Sequence, residues 1–196
     1  MRTETPTAAG LSDVDARATA LALVCSAALF SFTFLDPLLL AYFRGADPAL
    51  IGFWRAATGV GDSGWMIVSC VVAAVAAHRV ARRDGRAPRR AALALRRRAV
   101  FALASVAGVG GAAALAKLAI GRARPKLSET LGPYHFEPLA FDFKLNSLPS
   151  GHATALFAFA AALALMAPRW RPAFYAVALW GALSRTAAGA HYVSDV

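Results

Sequence analysis

Apolar positions in this chain run in unbroken blocks instead of recurring at the three- and four-residue intervals of an amphipathic helix. A bilayer core is crossed by about 20 mostly apolar residues. Blocks of that order recur at residues 18–35, 63–77, 99–120, 153–167 and 173–187, and predict five membrane-spanning helices. Asp36-Pro37 closes the first, because the residue before a proline disfavours helical backbone. Residues 38–43 are too short to span and read as an interfacial turn. Residues 44–62, with Gly, Pro and Trp54, read as a loop with a short interfacial helix. Residues 1–17 are polar and mixed in charge, and are expected to be disordered or to lie on the membrane surface. With that polar lead and no clear small-x-small site, the first block reads as a retained helix, not a signal peptide. No internal repeat divides residues 1–196, which read as one all-α, polytopic membrane domain.

Composition agrees: 58% of residues are hydrophobic, and the mean hydropathy is +0.51. The net charge of +10 must therefore sit in the connecting segments. Residues 78–98 carry nine arginines and one acid, Asp84, which makes that loop cytoplasmic by the positive-inside rule. The N-terminus is then inside and the loop around Trp54 outside. The third span leads outward over about 33 Å, and residues 121–148 lie outside. Arg169, Trp170 and Arg171 mark a second cytoplasmic turn, an independent check on the same topology. The expected setting is the inner (plasma) membrane, with the N-terminus cytoplasmic. Nucleic acid is excluded as a partner, since the arginines flank apolar spans. Cys25 and Cys70 lie inside apolar blocks as small buried residues, and no spacing suggests metal or redox chemistry.

This topology brings three polar clusters to the outer surface: Lys117 with Arg124-Pro125, then Pro149-Ser150-Gly151-His152, then Ser184-Arg185, His191 and Asp195. Charges at membrane-helix ends are costly unless they snorkel, pair or bind something. Three cations, two histidines and a carboxylate at one level make an anion site. Arginine forks match phosphate oxygens, lysine adds a point charge, and together they neutralise a phosphoryl group during transfer. Ser150-Gly151-His152 opens a helix whose free N–H groups favour an anion, and glycine permits close approach. His191 and Asp195 are four apart, on one face if helical. The carboxylate would set the imidazole tautomer and leave the other nitrogen to attack. Gly189 offers a turn that lets Arg185 and His191 face one pocket. His152 is placed to give a proton to the leaving oxygen. The chemistry is a two-step phosphoryl transfer through a phosphohistidine, with neither metal nor other cofactor.

The segments KLAIGRARP, PSGH and SRTAAGAHYVSD match the pattern K-x6-RP, PSGH, SR-x5-H-x3-D at every defined position and gap. The chain thereby resembles the type 2 phosphatidic acid phosphatase superfamily, which also includes vanadium haloperoxidases. The match covers residues 117–195 closely, and the earlier spans fit the six-helix membrane branch in layout. The resemblance implies phosphate binding by Lys117, Arg124, Ser150, Gly151 and Arg185. It also implies His191 as nucleophile, Asp195 as its partner and His152 as general acid. Family members continue into a sixth helix beyond the final Asp. The chain is therefore expected to be truncated, with His191 and Asp195 on the first turn of the missing helix.

The expected function is hydrolysis of a lipid phosphate or diphosphate at the outer, periplasmic face, where the substrate reaches the site by lateral diffusion. The alternatives are a lipid phosphotransferase and a non-catalytic head-group-binding membrane protein. The sequence does not select the lipid or the oligomeric state. Arg122 is an open candidate for contact with an anionic head group. Gly61-Asp62-Ser63 reads as a helix cap more simply than as pocket lining. His78 and His135 read as surface residues. The aromatics Tyr134, Phe136, Phe141 and Phe143 either dip into the interface or shape the substrate entrance.

Overall fold

The computed structural model describes residues 8–82 and 86–196. Its elements are helices joined by short turns: α1 (Ala8–Phe30), a π turn (Ser31–Leu35), α2 (Asp36–Arg44), α3 (Pro48–Ala57), a 3-10 turn (Thr58–Gly61), α4 (Ser63–Ala81), α5 (Arg86–Ile120), α6 (Ser128–Leu131), α7 (Gly151–Met166), α8 (Arg171–Ala187) and a last 3-10 turn (Val193–Asp195). Among the described residues no strand forms, only an isolated bridge between Arg122 and Phe136. Three stretches, Val14–Arg44, Pro48–Ala81 and Pro88–Ile120, are long and apolar enough to cross a membrane. The last two helices have 16 and 17 residues, or about 24–26 Å each.

The helix boundaries differ from expectation in three places. The N-terminal segment is not wholly irregular, since α1 is already helical from Ala8; residues 1–7 lie outside the described part. Asp36-Pro37 does not end the first helix. The Asp36 N–H reaches back to the Ser31 carbonyl in the wider π spacing, and Pro37 falls in the first turn of α2. The Thr33 carbonyl, which an N–H at position 37 would otherwise satisfy, accepts the Tyr134 hydroxyl at 3.1 Å. A proline is tolerated where its missing donor leaves no orphan. Thirdly, the arginine-rich stretch is largely helical. With 35 residues, α5 is about 52 Å long and outruns a ~30 Å hydrocarbon core, so its first turns carry Arg89, Arg90 and Arg96–Arg98 beyond the apolar block.

The core lies between α4, α5, α7 and α8. Met66, Val106, Ala155, Leu156, Ala160 and Ala178 form one buried cluster, and Cys70, Ala102 and Ala162 a second. Alanine lets these helices approach closely, as helices do in lipid where small residues fill interfaces. Cys70 is buried as expected, whereas Cys25 is exposed on α1 beside exposed Leu21, Leu23 and Val24. Such an apolar outer surface suits acyl chains. Asp62 caps α4, accepting the Gly64 N–H at 2.8 Å.

Candidate functional site

The first cluster is built where α5 stops. Gly121 sits at φ +63, and a Cβ there would lie 1.7 Å from the Glu137 carbonyl oxygen, so only glycine fits. Its carbonyl accepts the Glu137 N–H at 2.8 Å, which folds residues 133–145 back over the helix end. The chain then runs extended through Arg122, Ala123 and Arg124, and alternate residues of an extended chain face opposite ways. The Arg124 guanidinium stacks on Phe143, 4.0 Å from the ring centroid. It donates to the carbonyls of Phe143 (3.0 Å), Ala190 (3.3 Å) and Asn146 (3.3 Å). Arg122 turns the other way and is fully buried. Its Nη2 donates to Asp36 Oδ2 at 2.7 Å and its Nη1 to Asp195 Oδ1 at 2.6 Å. It is not a head-group contact.

In the second cluster Ser150 is the N-cap of α7, its hydroxyl accepting the Ala153 N–H at 3.4 Å. The Ser150 N–H donates to the Asp195 carbonyl at 2.7 Å, tying this helix start to the end of the third cluster. A Cβ at Gly151 would lie 3.7 Å from Lys117 Nζ, so the ammonium sits over the first turn of α7. His152 packs against Gly61, and the charges of Arg185, Asp62, His191 and Lys117 all act on it. The Gly61-Asp62-Ser63 segment is thus both a helix cap and a wall beside His152.

The third cluster leaves α8 through a tight turn. Gly189 adopts φ +69, and the N–H groups of Ala190 and His191 both donate to the Arg185 carbonyl, at 3.0 and 3.3 Å. That left-handed residue reverses the chain and returns His191 toward Arg185. His191 and Asp195 do not share a helix turn, contrary to expectation; the 3-10 turn Val193–Asp195 brings them together. His191 Nδ1 faces Asp195 Oδ2 at 3.6 Å. The same carboxylate oxygen accepts the Ser147 hydroxyl and, at 2.9 Å, the Tyr192 N–H. Burial pushes the His191 pKa below the usual histidine value, aided by the charges of Arg124 and Arg185 and opposed by Asp195. Burial alone would raise the Asp195 carboxyl. The neighbouring His191, the Arg122 charge, the Ser147 hydroxyl and the Tyr192 N–H outweigh it and hold the pKa below the carboxylate norm.

All eight residues singled out from the sequence gather in this region: Lys117, Arg124, Ser150, Gly151, His152, Arg185, His191 and Asp195. The charges of Arg124, Asp195 and Arg185 act on Lys117 as well. Arg185 is half-buried, and its Nε is enclosed with no hydrogen-bond partner. Lys117 makes one long contact, 3.4 Å to the Asn146 carbonyl. Asp36, Ser147 and Ser194 were missed. Asp36 carried a signal, because a charge at the end of an apolar block needs a partner. Ser147 and Ser194 carried none beyond lying beside the motifs. A cavity of about 400 Å³ reaches His191 and Tyr192, with Leu40, Phe43 and Ile51 on its apolar side and Arg44, Arg55 and Lys126 around it. It meets the clusters at Pro125 and His191; Lys117, Arg124, Arg185 and His152 are not in its wall. Of the outer-loop aromatics, Tyr134 and Phe136 pack on Phe32, while Phe141 is 90% exposed.

The model of the PAP2 superfamily matches residues 98–196. The chain is 39% identical over 148 residues to a lipid A 1-phosphatase of Rhizobium johnstonii, covering 71% of this chain and 57% of that protein. It is likewise 39% identical over 145 residues to a lipid A 1-phosphatase of Rhizobium etli, covering 71% of this chain and 60% of that protein. The chain thus spans somewhat over half the length of these curated relatives. No solved structure matches it. With the three motifs gathered in one region and the family pattern running through half its length, the chain belongs to the PAP2 superfamily.

Proposed function

We propose that this chain is a lipid-phosphate phosphatase that works through a phosphohistidine at His191. The observation that carries the reading is the meeting of Lys117 and Arg185 with the His191–Asp195 pair, neither cation holding a carboxylate partner among the described residues. With Nδ1 turned to Asp195, Nε2 is the nitrogen free to attack phosphorus. In the first step the Nε2–P bond forms and the P–O bond to the lipid breaks, while His152 gives its proton to the departing lipid oxygen. In the second, His152 takes a proton from water, the water oxygen bonds phosphorus, and the Nε2–P bond breaks to release inorganic phosphate. Lys117, Arg124 and Arg185 neutralise the charge on the equatorial oxygens, with the Ser150–Gly151 helix start beside them. Three fixed cations supply the neutralisation that a metal provides in other phosphoryl-transfer sites.

The relatives' names favour lipid A carrying a 1-phosphate as the substrate. The cavity beside His191 suits a lipid of this kind, with apolar Leu40, Phe43 and Ile51 near exposed Arg55 and Lys126. The arginine-rich ends of α4 and α5 favour a cytoplasmic position, which leaves the site on the periplasmic face of the inner membrane. The test is inorganic phosphate release by detergent-solubilised protein, with EDTA present, from lipid A, phosphatidic acid, phosphatidylglycerol phosphate and undecaprenyl diphosphate. Release that withstands EDTA and disappears in His191→Ala is expected, fastest from lipid A. Silence on the whole panel contradicts the phosphatase reading, and phosphate found on an acceptor lipid makes the chain a transferase.

A further inference from the structure

Asp36 and Arg122 take no part in the two chemical steps, yet they are the most deeply enclosed ion pair described, at 1% and 0% exposure. Burying a guanidinium and a carboxylate is unfavourable unless their geometry compensates, so a buried pair is weak evidence of a purely stabilising role. Every side-chain hydrogen bond that this pair makes beyond itself goes to Ser194 or Asp195. Arg122 Nη1 donates to Asp195 Oδ1 and, at 2.7 Å, to the Ser194 hydroxyl. Asp36 accepts the Ser194 N–H at 2.9 Å on Oδ1, and the Ser194 hydroxyl on Oδ2 beside Arg122 Nη2. The guanidinium lies 4.2 Å from the Tyr192 ring centroid and 4.8 Å from that of Phe32, so it cannot swing away.

We propose that Asp36, acting through Arg122 and Ser194, is the positioning residue that aims the Asp195 carboxylate at His191. The inference rests on the reading of His191 as nucleophile. Asp36 holds the backbone of the residue before Asp195 and one arm of the arginine that grips Asp195 Oδ1. Asp195 Oδ2 is thereby left to face Ser147, the Tyr192 N–H and His191. Charge follows the same path. Two carboxylates share one guanidinium, so the trio keeps one net negative charge beside an imidazole that becomes positive as it attacks. The π turn gives this arrangement its geometry, since it sets its own Phe32 and Asp36 at the start of α2 against the outer loop and the chain end.

Neutralising Asp36 would leave Arg122 to Asp195 alone and make the field at His191 more positive. The other groups facing His191 are unchanged by this: Ser147 and Arg124 from the outer loop, Arg185 from α8 and His152 from α7. The test measures kcat, KM and the pH profile of the full chain in detergent, using whichever panel lipid the parent hydrolyses fastest. Asp36→Asn is expected to lower kcat roughly 10- to 100-fold, the scale of a lost hydrogen bond to a charged group. KM should stay within about twofold, because the interaction matters in the transition state. The acid limb of kcat/KM should move to lower pH, and Asp36→Glu should restore most of kcat. A folded Asp36→Asn protein with the parent's kcat and acid limb overturns the proposal. If that variant does not accumulate folded, Ser194→Ala, which leaves both charges paired, decides. It is expected to lose about threefold or more in kcat, and parental kcat overturns the proposal. A silent parent chain overturns the phosphatase reading and this inference together. An active parent with an inactive His191→Ala confines any failure to Asp36.

Discussion

Arg122 and Arg124 differ by two positions and have opposite fates, because extended backbone sends alternate side chains to opposite sides. Arg124 stays at the site edge over Phe143, and Arg122 becomes a buried clamp. Removing one partner from a buried ion pair strands the other, so Arg122→Ala should cost about 3–5 kcal/mol. Thermal unfolding in detergent would show it as a much lowered midpoint, whereas Lys126→Ala, at an exposed position, should unfold like the parent. The depressed His191 pKa makes a second prediction. An imidazole must be neutral to attack, and burial lowers the pH at which it protonates. The rate should therefore hold as pH falls through about 6.5, the ordinary histidine value, and decline only below it. A kcat/KM profile whose acid limb lies above that value would contradict the assignment. At this scale the sequence displayed the candidate site groups but not their supports. Lys117, Arg185, His152 and His191 stand in motifs of fixed spacing. Asp36 finds its partner 86 residues away, and only the folded chain joins them.

Helices α4, α5, α7 and α8 were legible because apolar blocks of such length have few alternatives in a bilayer. Their ends were less so, since helical arginines can continue a helix beyond the apolar block. The helix continues through Asp36-Pro37, against the proline rule, for a local physical reason. The proline rule assumes regular i→i−4 bonding, and the π turn relaxes it while Tyr134 takes up the spare Thr33 carbonyl. The convergence of Arg185 and His191 through Gly189 was foreseen, whereas the 3-10 turn joining His191 to Asp195 was not. Gly121 provides the element-scale test. Any Cβ there collides with the Glu137 carbonyl, so Gly121→Ala must push residues 133–145 off the end of α5. Arg124 takes two of its three backbone acceptors, Phe143 and Asn146, from that loop or its end. The variant should thus raise KM and lower kcat together, with helical content by circular dichroism unchanged. Parental kinetics would mean that the outer loop does not hold Arg124.

Across the whole molecule, the three motifs gather where α5 ends, α7 begins and α8 ends, while the arginines gather at the opposite ends of α4 and α5. This polarity predicts the orientation. In a chain carrying Cys25→Ser and Cys70→Ser, an impermeant maleimide should label Phe141→Cys on intact spheroplasts. Arg90→Cys should be labelled only after permeabilisation, and the reverse pattern would place the site inside. The central claim is the covalent intermediate on His191, and it can be trapped. The measurement is rapid quenching in base of the reaction with substrate labelled in its phosphate, followed by peptide mapping. The account predicts an alkali-stable, acid-labile label on the peptide containing His191. The label should be absent from His191→Ala and longer-lived in His152→Ala, where water lacks its base. Phosphate released at full rate with no labelled histidine, or with the label on another residue, would contradict it.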